Sequence, residues 1–324
     1  MALLLETPAA ALAVEALPAG ATGGARAGTS ALAAATPSVK QTKPPTRRRR
    51  SRRRSVQTLR LPAVTPYGIP RLHVKAAYVV DEATGRVLFQ KNPERILPIA
   101  SLTKLVTAMV LLDTEPDWDR TVEVLPEDVK NSSRSRIRPR EEITVRDLIH
   151  ASIMSSDNVA TKALARTCGL THDEFVSRMN QKAESLGLTG THFVEPTGLS
   201  EQNVATAEGV ARLLNAAAAN PIVSAIMQKP SYSFASNRKV HNLVNTNRLL
   251  HSNLRITGGK TGFINEAGYC LVTKVESPTG AAVTAVVLGA PSNALRFAEA
   301  RRILDWTFRF GLNRPELGAD GESE

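Results

Sequence analysis

Four things are scarce in this chain, and each scarcity excludes something. Cysteine occurs twice in 324 residues, at Cys168 and Cys270. Two thiols so far apart build no disulfide framework, and each reads as a buried free thiol. Apolar runs stop short of the roughly 18 uninterrupted residues a membrane span needs, so no transmembrane helix is expected. The six histidines include no H-E-x-x-H pair, so that zinc-site pattern is missing. Excess charge is missing from most of the length as well. The formal net charge is +11, but 13 of the 41 Lys and Arg and only 2 of the 30 Asp and Glu lie in residues 1–75. The remainder carries 28 of each sign, and an electroneutral folded part has no general attraction for phosphate backbones, so nucleic acid is not an expected partner.

The positive excess has a specific address. Arg47 to Arg54, RRRRSRRR, puts seven guanidinium groups into eight positions, which repel one another and stay solvated. The run reads as a solvated linker or, functionally, as a segment for nuclear targeting, for nucleic-acid binding or for adhesion to anionic lipid or wall polymer, the last leading among these. Around it, residues 1–74 are rich in Ala, Gly, Thr and Pro and poor in large apolar side chains, a composition expected to be disordered. The first 35 residues depart from a secretory signal: no Lys or Arg precedes Leu3-Leu4-Leu5, and Glu6 and Glu15 interrupt the apolar stretch. A folded domain is expected over 75–311, followed by an acidic tail at 312–324.

Within that domain the patterning predicts strands over Ala77–Asp81 and Arg86–Gln90, joined by a turn at Glu82-Ala83-Thr84-Gly85. Ser101–Asp113 has no Gly or Pro and is apolar almost all round, which marks a buried helix. Helical periodicity follows over Val145–Ser155, Val159–Cys168, His172–Leu186 and Ala207–Asn220. Strand character returns at Tyr269–Val275 and Ala281–Leu288, and Asn293–Phe310 closes the domain as a helix. Strands at both ends enclosing helices predict an α+β fold, a mostly antiparallel sheet flanked by helices with an inserted helical subdomain.

Three short motifs carry candidate chemistry. Ser101 and Lys104 are three apart on the buried helix, so their side chains share one face. A serine hydroxyl needs a base to become a nucleophile, and a lysine serves only if desolvation lowers its pKa, which a buried helix supplies. Helix capping would explain the same serine equally simply. Ser156-Asp157-Asn158 falls at a junction between helices, where polar side chains can enter a cleft or merely cap. Lys260-Thr261-Gly262 follows Gly258-Gly259 and reads as an edge strand whose glycines permit close backbone approach by a ligand. In this order, S-x-x-K, S-x-N and K-T-G match the serine acyl-enzyme set of penicillin-binding proteins and β-lactamases.

From about Lys75 to Gly311 the sequence resembles the low-molecular-mass penicillin-binding proteins, the D-alanyl-D-alanine carboxypeptidases and endopeptidases. PIASLTKLVTAMV, MSSDNVATKALA, HFVEPTGLSEQNVATA and GGKTGFINEAGYCLV carry the likeness. The last two blocks, with RSRIRP, lie closest to the murein DD-endopeptidases. The resemblance implies a β-lactamase/transpeptidase-like fold and hydrolysis of D-alanyl bonds in peptidoglycan stem peptides, with covalent acylation by β-lactams. It implies Ser101 as nucleophile, Lys104 as base and Ser156 as proton relay. The serine chemistry so implied needs no metal or other cofactor. Asn158 would bond the substrate backbone, Lys260 would supply positive potential, and Thr261 of the Lys260-Thr261-Gly262 strand would bind the substrate carboxylate. The N–H groups of Ser101 and Phe263 would form the oxyanion hole, with Arg296 near the carboxylate site. A periplasmic or otherwise extracytoplasmic location is implied by that substrate. The leading alternative is a DD-carboxypeptidase with the same chemistry; behind it stand a class A-like β-lactamase, which Glu195-Pro196 invites, and a non-catalytic wall-binding protein.

Overall fold

Alternation along the central strands sorts their side chains onto two faces and thereby sets the layers. In Ala76–Asp81 of the computed structural model, Ala76 and Tyr78 face one core while Ala77 and Val79 face another. The same split recurs on Ala282–Ala290, with Val286 and Leu288 on the first side and Val283, Ala285 and Val287 on the second. The structure describes residues 68–312 except Arg134 and Pro278. The N-terminal segment through residue 67, its arginine run and the acidic tail from 313 lie outside the described residues. All described residues fall within one unit of the chain, Leu59–Glu324.

Five strands form the sheet in the order Val87–Lys91, Ala76–Asp81, Ala282–Ala290, Gly268–Glu276, Arg255–Ile264. Every neighbouring pair is antiparallel, so the expected mostly antiparallel sheet is wholly so. The chain's first and last strands meet at its centre, where Ala76 pairs with Leu288 and Val80 with Thr284. The helix Asn293–Trp306 covers one face. Leu72 and Val74, which composition leaves in the N-terminal segment, are also buried on that side. Lys91 Nζ donates to Leu72 O at 2.7 Å and Arg302 to Arg71 O at 3.1 Å, so backbone ahead of residue 75 is tied to the domain.

On the other face lie the helices Lys104–Leu112, Val145–Met154, Asn158–Thr167, His172–Ser185, Ala207–Ala218 and Pro221–Gln228. Leu102, Leu105 and Leu148 are fully buried there, each contributing roughly 1.5–3 kcal/mol relative to an exposed side chain. The helix expected over Ala207–Asn220 ends at Ala218 instead. Asn220 then caps a new helix, accepting from Ile222 and Val223 N–H, with Pro221 in the first turn, where proline's missing donor costs nothing. Three ribbons were not expected: Leu97–Pro98 with Val204–Ala205, Thr121–Glu123 with Glu142–Thr144, and the hairpin Ser231–Ala235 with Val240–Val244. Cys168 and Cys270 are free thiols, the second fully buried.

Candidate active site

Ser101 lies in a 3-10 turn, Ala100–Thr103, that runs directly into the α-helix Lys104–Leu112. The single helix expected from Ser101 onward is therefore two segments, and neither starts with a side-chain cap. The serine hydroxyl is left for Lys104, whose Nζ lies 3.1 Å away. Ala100, just before it, has φ +49, a left-handed backbone that costs a non-glycine residue ~1–2 kcal/mol. Neighbours hold it there. Thr103 Oγ1 donates to Ala100 O at 2.8 Å, and Ile99 N–H donates to Asn203 O at 3.0 Å. Two glycines make the clamp possible: a Cβ on Gly198 would meet Ala100 O at 2.0 Å, and one on Gly262 would meet Ile99 O at 2.8 Å. The expected role of the strand glycines thus changes. Gly258 and Gly259 face Met227 and Asn247 inside the protein, and Gly262 admits the turn that carries Ser101.

Lys104 is completely buried. Its Nζ also reaches Asn158 Oδ1 at 2.6 Å and Thr197 O at 2.5 Å. Burial pulls the amine down to about 7, against the opposing pull of the Glu195 and Asp157 carboxylates. A neutral amine has two protons and one lone pair. Two acceptors and one hydroxyl surround it, so the lone pair falls to Ser101.

Ser156 and Asn158 sit where the helix Val145–Met154 gives way to Asn158–Thr167. The capping that sequence left open is done by Asp157, whose Oδ1 accepts from Val159 and Ala160 N–H. Ser156 adopts φ +60 and is free of that duty. Its Oγ accepts from Lys260 Nζ at 2.8 Å. Asn158 is engaged at both ends, its Oδ1 with Lys104 and its Nδ2 donating to Ser133 Oγ at 2.6 Å.

Lys260, Thr261 and Gly262 lie on Arg255–Ile264, the sheet's edge strand as expected, beside the 3-10 turn of Ser101. Lys260 is buried and holds Thr261 O at 3.0 Å. Its amine is pushed well below the ordinary lysine value, first by burial and then by the charges of Lys104 and Arg296. Thr261 Oγ1 donates to Thr246 Oγ1 at 2.7 Å. Phe263 is half exposed, its ring stacked on Tyr269 at 4.2 Å. Arg296 comes from the helix on the far face of the sheet. It is buried, and its Nη1 donates to Gly262 O at 3.0 Å and Cys270 O at 3.2 Å, bracing the edge strand.

All three motifs therefore line one cleft of about 540 Å³, together with Leu199 and Arg296. Sequence reasoning missed Ser133 and Thr246 on its walls; loop hydroxyls carry no spacing that marks one of them for a cleft. It also left Glu195 as an open comparison. In the structure Glu195 organises its own loop, its carboxylate accepting from the N–H groups of Thr197 at 2.7 Å, Gly198 at 2.6 Å and Ser200 at 3.3 Å. Asn203 Nδ2 adds a bond at 3.0 Å. This loop delivers the Thr197 carbonyl to Lys104.

Comparison with known proteins identifies the family and the fold. The family profile described as D-alanyl-D-alanine carboxypeptidase, peptidase family S11, matches residues 63–292. The chain is 41% identical over 244 residues to a D-alanyl-D-alanine endopeptidase of Pseudomonas aeruginosa, covering 71% of this chain and 76% of that one. To the D-alanyl-D-alanine endopeptidase of Escherichia coli it is 35% identical over 252 residues, covering 75% and 80%. Among solved structures, the Streptomyces K15 DD-transpeptidase superposes with a TM-score of 0.71 at 26% identity, covering 74% of this chain and 99% of that one. The described α+β fold is that of the penicillin-binding and DD-transpeptidase proteins, and the chain belongs to the S11 family of D-alanyl-D-alanine peptidases.

Proposed function

We propose that this protein is a DD-endopeptidase that hydrolyses D-alanyl cross-links of peptidoglycan outside the cytoplasmic membrane, through an acyl-enzyme on Ser101. The observation that carries the reading is the pairing of Ser101 Oγ with a fully buried Lys104 amine at 3.1 Å, whose pKa of about 7 leaves it an available base at neutral pH. Lys104 takes the Ser101 proton as Oγ attacks the D-alanyl carbonyl. The Ser101 and Phe263 N–H groups receive the oxyanion. Ser156, hydrogen-bonded to Lys260, passes a proton to the leaving amine. Thr261 binds the carboxylate next to the scissile bond, and the remaining Asn158 Nδ2 proton serves the substrate backbone. Arg296 acts by fixing the Gly262 carbonyl, a positioning role. Water then cleaves the ester.

Glu195 favours a peptidase over a class A-like β-lactamase. A deacylating base needs an unengaged carboxylate oxygen beside the ester, and both Glu195 oxygens are taken up by loop N–H groups. The likeness to two named endopeptidases supports the choice over a carboxypeptidase. Purified cross-linked muropeptide dimers incubated with the protein should yield monomers by mass spectrometry. Loss of terminal D-Ala from pentapeptides with dimers intact makes it a carboxypeptidase instead. A fluorescent penicillin should label one peptide, at Ser101, and Ser101→Ala should abolish the label; label elsewhere overturns the mechanism.

A further inference from the structure

The catalytic cleft does not end at its own wall. A second cavity of about 250 Å³ shares Ser155 with it and is lined by Arg136, Asp157, His241, Asn242 and Val244. None of Ser101, Lys104, Lys260 or Thr261 reaches this space. It therefore lies beside the reacting groups, within reach only of a part of a bound peptide that extends sideways past the Ser155–Asp157 wall.

The acidic groups here are already compensated. Asp157 accepts from two N–H groups of the helix it caps and from Ser135 Oγ at 2.7 Å. Glu141 is buried beneath the cavity's hairpin wall and accepts from His241 Nε2 at 2.5 Å, Ser236 Oγ at 3.0 Å and Arg138 N–H at 2.9 Å. The cation is not compensated: among the described residues no hydrogen bond or ion pair reaches the Arg136 guanidinium, which is exposed to solvent. Its backbone is nevertheless fixed. Ser135 is tied to Asp157, Ile137 is in the core, and Lys239 Nζ donates to Arg136 O at 2.6 Å. Asn242 Oδ1 accepts from Ser233 Oγ at 2.7 Å, which leaves its Nδ2 as a spare donor on the same wall. An unpaired guanidinium on a fixed backbone, with an amide donor on the same wall, suits a carboxylate.

We propose that this cavity is the subsite for the second stem peptide of a cross-linked substrate, with Arg136 binding a carboxylate of that peptide remote from the reacting bond. The inference rests on the DD-endopeptidase reading above and names the residue that distinguishes a cross-linked from a linear substrate. A linear stem peptide presents its D-alanyl end to the Ser101 groups and leaves the side cavity empty.

The test uses the full chain, Arg136→Gln and Arg136→Lys, with muropeptide dimers, the same dimers with their free carboxylates outside the scissile site amidated, linear pentapeptide monomers, and a fluorescent penicillin. Arg136→Gln should raise KM for dimers about tenfold or more, the scale of one charge-assisted hydrogen bond, with kcat within about twofold. The penalty should vanish on amidated dimers and be largely rescued in Arg136→Lys. The rate of Ser101 acylation by penicillin should stay within about twofold. Dimer KM unmoved in Arg136→Gln, an equal penalty on amidated dimers or monomers, or a parallel fall in penicillin acylation each overturns the subsite. Failure of the wild-type protein to cleave dimers while it trims monomers overturns the endopeptidase reading and this inference with it, and is seen before any variant is measured.

Discussion

The cleft has two walls, each built around a buried lysine, and the two lysines live in opposite company. On the helix wall, Lys104 touches an amide oxygen, a carbonyl and the reactive hydroxyl, with two carboxylates close enough to hold part of its charge. On the strand wall, Lys260 touches a hydroxyl and a carbonyl, and its charged influences are the cations Lys104 and Arg296. Burial acts on both amines in the same direction. Neighbours then separate them. Lys104 is balanced near 7, where proton uptake and release are both accessible at neutral pH, while Lys260 sits in a positive surrounding that an arriving carboxylate would relieve. In the proposed mechanism one desolvated amine serves as the base and the other accompanies an anion, though both belong to the same residue type.

The largest effect should come from removing the base. Lys104→Ala should slow penicillin acylation of Ser101 about 10³-fold, in the range typical of general-base catalysis; stopped-flow rates near wild type would erase the division of labour. Lys260→Ala keeps that base, and acylation should fall only about 10²-fold. A loss equal to that of Lys104→Ala would merge the two walls into one unit. Third, Gly198→Ala should drive a methyl into the Ala100 carbonyl from a backbone at φ +83, costing about 2–3 kcal/mol in urea unfolding. An unchanged unfolding midpoint would contradict the tight contact between loop and nucleophile turn.

The pH profile sharpens the comparison further. Because only neutral Lys104 accepts a proton, acylation should rise about tenfold per pH unit below its pKa of about 7 and level off above it. Glu195 favours the charged amine, so Glu195→Gln should move that midpoint to lower pH, less than about tenfold in rate at any one pH. Its readout is the midpoint, since loosening the 195–203 loop lowers the plateau as well; a midpoint moving upward would reverse the assigned electrostatics. The smallest effect belongs to the strand wall: Gly258→Ala adds a methyl at ordinary contact distance, 3.6 Å from Met227 Sδ, and should shift stability by less than about 1 kcal/mol. A shift as large as that of Gly198→Ala would mean the two walls are packed equally tightly.

Periodicity made the major helices and the central strands legible, because their apolar residues repeat at the spacing of the core they bury. It did not reveal the hairpin Ser231–Val244, whose stability comes from partners far away in sequence. Tyr232 stacks on His150 at 3.8 Å, and His241, itself stacked on Phe234, reaches Glu141 across a hundred residues. The helix boundary at Ala218 was missed because apolar periodicity runs through it, while the Asn220-Pro221 start signal was written in plain sight. In the cleft, the three motifs were readable because each groups its polar residues within a few positions. Ser133 and Thr246 were not, since Ser133 is one of three hydroxyls in residues 131–135 and Thr246 a single loop hydroxyl, and only what stands opposite distinguishes either.

The sequence by itself determined which residue types were present and which pairs were neighbours: Ser101 and Lys104 share a face because three residues nearly complete a helical turn. Tertiary structure alone decided what those groups became. A serine at a helix start could have been a cap, and it is a nucleophile candidate because Gly198, Gly262 and Asn203 clamp its turn in a conformation that leaves the hydroxyl free. A lysine's pKa depends on how much water is excluded and which charges remain nearby, and for Lys104 those charges are Glu195 and Asp157, brought to it from distant parts of the chain.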